Sequence, residues 1–212
     1  MPKALIFDFD GVIVMSEHAR FQALQKIAAR YGVIIEPSHF NELVGTTTKN
    51  FLRNFFSDIE EATQSNIQNN FNGEFKDRII DHVTPIAPTY DFLTGYDGLV
   101  PLAVASGSDV KVLTTMLRHL GLYDKFEFIL GKEHVTNHKP HPAVYLLATQ
   151  KLRLYPSECV VIEDSVAGAT AAVAAGIPVY ILLNGVNEAD HFLSLPIAGF
   201  LKNTGDIAGL LK

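Results

Sequence analysis

Apolar positions along the chain follow two alternating rhythms, with one long interruption. Residues 3–7 (Lys-Ala-Leu-Ile-Phe) form a short apolar run that stops abruptly at Asp8, the pattern of a buried strand with an acidic tip. After Pro85, strand-like runs alternate with helical stretches. Strands are predicted over Val100–Ala105, Phe126–Leu130, Cys159–Ile162 and Val179–Leu183, the last closing the series. Helices are predicted between them, over about 109–119, 142–151 and 165–174. Regular β-α alternation implies an α/β fold, a doubly wound parallel sheet with helices on both faces. Right-handed crossovers then bring the C-terminal ends of the strands to one edge, where such folds bind ligands.

The interruption runs from residue 17 to about 82. Phe21, Leu24, Ile27, Ala28 and Tyr31 keep a helical period, and Gly32 stops that helix. Ser57-Asp58-Ile59-Glu60 reads as a capping box opening another helix. Phe51, Phe55 and Phe56, like Phe71 and Phe75, have the spacing of residues packed into a helical core. No strand-like run occurs in this stretch. The chain therefore reads as an α/β core, residues 1–15 and 84–212, interrupted by an all-helical insert, residues 16–83. Glu188–Leu193 and Asp206–Leu211 are expected to be peripheral helices.

Composition narrows the function. The 212 residues are 48% apolar and 19% charged, enough to bury a core and too apolar for a disordered chain. A net charge of −6 disfavours a nucleic-acid binder. No apolar run reaches the roughly 18 residues of a membrane span, and Asp8 comes too early for a signal peptide. The expected compartment is the cytoplasm, with no membrane partner. Cys159 is the single cysteine, so no internal disulfide or cysteine-based metal site is expected, and its apolar neighbours make it a core residue. No apolar stripe is left over for an interface, and a monomer is expected.

The predicted strands end in polar residues of particular types. Asp8 and Asp10 follow the first, Ser106 follows the second, and Glu163-Asp164 follow the Cys159 strand. Lys139 lies in the loop His138-Lys139-Pro140-His141-Pro142. Asp8 and Asp164, with Glu163 nearby, offer hard oxygen ligands for Mg²⁺. A lysine, a serine hydroxyl and loop N–H groups at a helix start make a phosphate cradle. Asp8 can attack phosphorus to form an aspartyl-phosphate. Asp10 can protonate the leaving oxygen and then activate water. Each element alone is common in turns and on surfaces; their joint occurrence at strand ends points to phosphoryl transfer. His134, His138 and His141 are spaced four and three apart, but Pro140 and Pro142 break any helix between them. They read as loop residues, not a zinc site, with His138 near enough to Lys139 to order it.

Asp8-Phe9-Asp10-Gly11-Val12 resembles the first motif of the haloacid dehalogenase-like superfamily. Ser106 resembles its second motif, Lys139 its third and Glu163-Asp164-Ser165 its fourth; Gly168 and the Ala-rich run through Gly176-Ile177-Pro178 are similar too. The insert resembles the small helical cap of the subgroup containing phosphoglycolate phosphatase, sugar-phosphate phosphatases and beta-phosphoglucomutase. The resemblance implies a Rossmann-like core with an inserted cap domain. It implies Asp8 as nucleophile and Mg²⁺ ligand, and Asp10 as general acid/base with its main-chain carbonyl on the metal. Ser106, the Gly107 N–H and Lys139 would hold the phosphoryl group, and Asp164 with Glu163 would complete the metal site. An acid at Asp10 favours phosphomonoesters, because the dehalogenase and phosphonatase branches lack one there.

Met15, Ala87-Pro88-Thr89-Tyr90 and Ala143 depart from the subgroup's pattern without removing a catalytic group. Arg20 stands where beta-phosphoglucomutase carries a cap histidine, which favours hydrolysis over mutase chemistry and offers a charge to an anionic substrate. Gly45-Thr46-Thr47-Thr48-Lys49 lies where such caps present a specificity loop, with Lys49 the expected substrate contact. The expected function is a Mg²⁺-dependent phosphatase for a small phosphorylated metabolite. The alternatives are a phosphomutase and a non-enzymatic phospho-ligand binding module of the receiver-domain kind, whose paired acids precede the phosphorylated aspartate.

Overall fold

The structure, a computed structural model, describes residues 1–43, 46–78 and 83–212, with only the backbone of residues 75–78. Gly45 and the side chain of Phe75 therefore lie outside the described residues. The chain divides into two compact units, Met15–Val83 and Met1–Val14 joined with Thr84–Lys212.

The first unit is helical: α1 (Glu17–Ala29), α2 (Phe40–Leu43), α3 (Thr48–Phe55) and α4 (Glu61–Arg78). Phe21, Leu24 and Ile27 of α1 pack with Leu43, Phe51, Leu52, Ile67 and Phe71 in one apolar cluster. Gly32, at φ +75°, adopts the left-handed conformation that lets the chain turn away after α1. Thr47 caps α3, its hydroxyl accepting from the Asn50 N–H at 3.1 Å. The capping box expected at Ser57 does not form. Ile59 N–H returns to the Phe56 carbonyl at 3.1 Å, closing a turn there, and helical bonding starts only with Thr63 N–H on the Glu60 carbonyl. The aromatic trio is only partly core: Phe51 is buried, whereas Phe55 keeps 45% of its surface exposed.

The second unit is an α/β sandwich. Its strands are β1 (Ala4–Phe7), β2 (Leu102–Ala105), β3 (Phe128–Leu130), β4 (Cys159–Glu163), β5 (Val179–Leu182) and β6 (Gly199–Leu201). They form a six-stranded sheet in the order β3-β2-β1-β4-β5-β6, with every pairing parallel. Leu5 faces Leu102 on one side and Val160 on the other, and Phe7 faces Val104 and Ile162. Helices α5 (Ala87–Thr94), α6 (Val110–His119), α7 (Ala143–Leu152), α8 (Val166–Ala174) and α9 (Thr204–Gly209) surround it.

Strand side chains alternate between two apolar faces. Ala4, Ile6 and Val161 pack with Tyr145 and Ala148 of α7 and Ala169 and Ala172 of α8. Phe7 points the other way, its ring 6.1 Å from those of Phe92 and Phe126. Cys159 is fully buried in the first cluster. The series does not close at β5. The segment Gly-Phe-Leu adds β6, where Gly199 lets the backbone lie against Tyr180: a Cβ there would sit 3.1 Å from its ring. Helix α5 was not expected either; Pro88 sits in its first turn, where a missing N–H costs no hydrogen bond. Residues 189–192 form a short 3₁₀ turn in place of the expected helix.

The strand order reverses between β1 and β4. In doubly wound sheets that reversal opens a crevice at the carboxyl edge. Asp8 leaves β1 and Glu163 ends β4, one on each side of it.

Removing a buried aromatic costs about 3–5 kcal/mol. Phe51→Ala is expected to cost that much in urea unfolding, and Phe55→Ala much less. Equal costs would contradict this division of the trio.

Candidate active site

The site grows from the ends of β1, β2 and β4. Asp8 continues β1, its N–H donating to the Ile162 carbonyl at 2.9 Å, so its side chain is held at the sheet edge and 7% exposed. The chain then turns sharply. Ile13 and Val14 N–H groups both return to the Phe9 carbonyl, at 2.8 and 3.1 Å. Gly11 takes φ +78°, and a Cβ there would lie 1.8 Å from Asp164 Oδ2. Only glycine lets this turn rest against Asp164.

Lys139 reaches the same place from its proline-rich loop. Its ammonium donates to Asp8 Oδ1 at 2.6 Å, Glu163 Oε1 at 2.7 Å and the Ala105 carbonyl at 3.1 Å. It also lies 4.7 Å from the centre of the Tyr145 ring. Glu163 is fully buried and fully engaged. Tyr145 Oη donates to its Oε1 at 2.7 Å, while Asp164 N–H, Ser165 N–H and Ser165 Oγ donate to Oε2. Gly168 makes room for it: a Cβ would stand 1.6 Å from Glu163 Oε1.

At the end of β2, Ser106 is buried, and its hydroxyl accepts from the Ser108 N–H at 3.0 Å. Ser108 Oγ donates to Asp10 Oδ2 at 2.6 Å. Beside Gly107 there is open space: apart from its chain neighbours, nothing lies within 4 Å of where a side chain would begin. Asp164 is held by amides: Asn184 Nδ2 donates to its Oδ2 at 2.9 Å and Asn187 Nδ2 at 3.3 Å.

The electrostatics follow from burial and crowding. Burial raises Asp8 to about 7 against the pull of Lys139, with Glu163 and Asp10 adding to the rise. Burial, then the Glu163 and Asp8 carboxylates, push Asp164 well above the usual carboxylate range, while the Asn184 amide pulls it down. Burial works to raise Glu163 too, but the Lys139 charge and hydrogen bonds from Lys139, Tyr145 and Ser165 hold it below its ordinary value. Burial works to lower Lys139, and the Asp8 and Glu163 carboxylates outweigh it, holding the ammonium charged well above its usual range.

Asp8, Glu163 and Asp164 each offer a carboxylate oxygen within 4.8 Å of the others, all three side chains buried. Such hard donors, two of them pushed toward protonation by burial and then by neighbouring carboxylates, fit a hard divalent cation, and the cluster could hold a metal ion.

Asp8, Asp10, Ser106, Lys139, Glu163 and Asp164 thus come together within the α/β unit. Arg20 and Lys49 belong to the helical unit. Arg20 has partners of its own there, forming a 3.1 Å ion pair with Glu17 and donating to the Thr46 carbonyl. Lys49 is exposed and lines a cavity of about 380 Å³ with Arg53, Ser57 and Gln64. His134 and His141 turn back into their own loop, their Nδ1 atoms accepting from Gly131 and Ala143 N–H groups. Tyr145, Ser108, Asn184 and Asn187 were missed. Asn184 and Asn187 follow a predicted strand end, as Asp8, Ser106, Glu163 and Asp164 do, so the same rule would have found them.

The family model described as haloacid dehalogenase-like hydrolase matches residues 5–182. The chain belongs to the haloacid dehalogenase-like hydrolase family. It is 32% identical over 177 residues to the fructose-1-phosphate phosphatase YqaB of Escherichia coli, covering 81% of this chain and 92% of that one. It is 27% identical over 216 residues to the phosphorylated carbohydrates phosphatase of Thermotoga maritima, covering 99% and 98%. A solved haloacid dehalogenase-like hydrolase from Deinococcus radiodurans, with bound phosphate and sodium, superposes with a TM-score of 0.79 at 29% identity, covering 99% and 94%. Among the described residues of this haloacid dehalogenase-like chain, no helix is long and apolar enough to cross a membrane.

Gly168 gives a sign test of the site's packing. Alanine at an ordinary helical glycine stabilises by up to about 1 kcal/mol. Here the added Cβ would displace Glu163 and its lysine, so Gly168→Ala is expected to lower the thermal midpoint. A rise would contradict this placement of Glu163.

Proposed function

We propose that this hydrolase is a Mg²⁺-dependent phosphatase that cleaves a small phosphomonoester through an aspartyl-phosphate on Asp8. The observation that carries the reading is the Lys139 ammonium fixed between Asp8 Oδ1 and Glu163 Oε1, at 2.6 and 2.7 Å, at the reversal of the sheet. A nucleophilic carboxylate is there joined to the cation that neutralises its target.

Asp8, Asp164 and the Asp10 main-chain carbonyl would hold Mg²⁺, with Glu163 adding negative charge beside them while it anchors Lys139. When bound, the ion supplies Lewis-acid neutralisation of the phosphoryl oxygens. Lys139, the Ser106 hydroxyl and the Gly107 N–H hold the phosphoryl group in line with Asp8. An Asp8 oxygen attacks phosphorus, the bond from phosphorus to the ester oxygen breaks, and Asp10 gives its proton to the departing alkoxide. The Asp10 carboxylate then takes a proton from water as that water attacks phosphorus. The bond to Asp8 breaks, and inorganic phosphate leaves. Ser108, donating to Asp10, holds the acid toward the phosphoryl side of the turn.

A sugar phosphate is the favoured substrate class. Two relatives carry names that specify fructose-1-phosphate and phosphorylated carbohydrates. We assign the helical unit the role of a cap domain, and within it exposed Lys49 and Arg53 line a cavity with positive charge. The buried, unpaired Cys159 suits the reducing cytoplasm, where the enzyme is proposed to act as a monomer.

Phosphate release from a panel of sugar phosphates with Mg²⁺ tests the reading directly. Asp8→Asn is expected to lose about 10³-fold or more in kcat/KM. Equal release by the variant would remove Asp8 from the chemistry.

Stability carries a second test. In the metal-free chain the folded state keeps the Asp8 proton up to about 7, whereas an ordinary aspartate carboxyl releases it at 3.8. The folded chain binds more protons across that window, so stability falls as pH rises through about 7. With EDTA, the urea midpoint is expected to be lower at about pH 8 than at about pH 6, and saturating Mg²⁺ should shrink or reverse that gap. A metal-free midpoint that rises with pH would contradict the crowding of buried carboxylates.

A further inference from the structure

We propose that Asn184 is a positioning residue for the metal site, setting its affinity for a divalent cation by fixing which oxygen of Asp164 faces the ion. The inference rests on the reading of the acidic cluster as a Mg²⁺ site. Asn184 follows β5 and touches two other strand ends at once. Its Nδ2 donates to the Gly11 carbonyl at 2.7 Å and to Asp164 Oδ2 at 2.9 Å. Both amide hydrogens are thereby used. Its Oδ1 accepts from the Val186 N–H at 2.9 Å, which settles the orientation of the amide.

Asn187 adds a second donor to the same oxygen, at 3.3 Å. Asp164 Oδ2 thus receives two amide hydrogen bonds, while Oδ1 accepts none among the described residues. A carboxylate pinned this way presents its other oxygen as a single, oriented ligand. The contact with Gly11 extends the restraint to the turn after Asp8. That turn already lies so close that a Gly11 Cβ would overlap Asp164 Oδ2. Asn184 therefore locks the two proposed ligand-bearing segments, β1 and β4, to each other from a third strand.

The chemistry of the partners differs between the two neighbouring acids. Glu163 is held by Lys139, a cation, and Lys139 in turn reaches Asp8. Asp164 is held by neutral amides, which orient a carboxylate without cancelling its charge. A lysine or arginine in the place of Asn184 would compete with the metal for the same carboxylate. An amide does not. Residues that hold a metal ligand in place typically contribute 10–100-fold to affinity.

The test titrates the metal-free chain with Mg²⁺ by calorimetry, and with Mn²⁺ by electron paramagnetic resonance, for wild type, Asn184→Ala, Asn187→Ala and Asp164→Ala. Asn184→Ala is expected to weaken binding by about 10–100-fold. The Mg²⁺ concentration for half-maximal turnover should rise by the same factor, with kcat at saturating Mg²⁺ within about threefold of wild type. Asn187→Ala, which leaves the tie to Gly11 intact, is expected to weaken binding by a few-fold and keeps the test usable if Asn184→Ala does not fold. Wild-type affinity in either variant overturns the inference and leaves the phosphatase reading standing. A wild type that binds neither ion, or an Asp164→Ala variant that binds as tightly as wild type, overturns the metal reading itself and the inference with it.

Discussion

The site depends on one buried ammonium. Asp8, Asp10, Glu163 and Asp164 crowd the edge of a sheet, and Asp8, Glu163 and Asp164 are at most 8% exposed. Charges in that setting repel strongly and have lost most of their hydration. Lys139 offsets part of this by touching Asp8 and Glu163 together. Its attraction holds Glu163 ionised and leaves Asp8 and Asp164 pushed toward protonation. One positive charge does not balance the cluster, and the uncompensated remainder is what a divalent cation would relieve. A phosphoryl dianion alone would be repelled from the same place. The lysine and a cation together would make the approach of one anion to another favourable.

Topology delivers the groups to one point. β1 and β4 are neighbours only because the chain doubles back across the sheet, so Asp8 and Glu163 meet although 155 positions separate them. The strands are buried and short, which leaves their side chains little freedom. Tyr145, from the packed face of α7, fixes Glu163, and Glu163 fixes Lys139. The apolar core thus reaches the chemistry through two hydrogen bonds, and the site is built on strand ends that packing has already immobilised.

Much of this was legible in the chain. A run such as Ala-Leu-Ile-Phe that ends in Asp has one plain meaning, a buried strand whose tip must stay at the edge, and parallel strands bring such tips together. That logic found Asp8, Ser106, Glu163 and Asp164. It did not find Tyr145, because a tyrosine in an apolar helix looks like packing until its hydroxyl has a partner. Arg20 shows the opposite limit. Its residue type suggests an anion to bind, and the chain alone does not show that the Glu17 carboxylate, one helical turn before it, and the Thr46 carbonyl, 26 residues after it, also reach its guanidinium. β6 was invisible because Gly199 carries no pattern, and its pairing depends on a close approach to Tyr180. The false helix start at Ser57 came from residue types that serve a turn equally well as a cap.

The two acids at the end of β4 were read as one motif, yet their surroundings divide the work. Glu163 faces inward and is saturated by a lysine, a tyrosine and the start of α8. Asp164 faces the turn after β1 and is held by neutral side chains from the loop after β5. Glu163 is the last residue of β4 and Asp164 the first beyond it, so the chain leaves the sheet between them and the pair meets two environments. In one environment the negative charge positions a cation of the protein. In the other, neutral amides orient the carboxyl and no cationic side chain touches it among the described residues. A substitution that exchanged the two acids would keep the composition and the net charge while placing each side chain where the other's partners are absent. The chemistry of this edge therefore lies in the order Glu-Asp and in what each side chain touches, not in the presence of two acids.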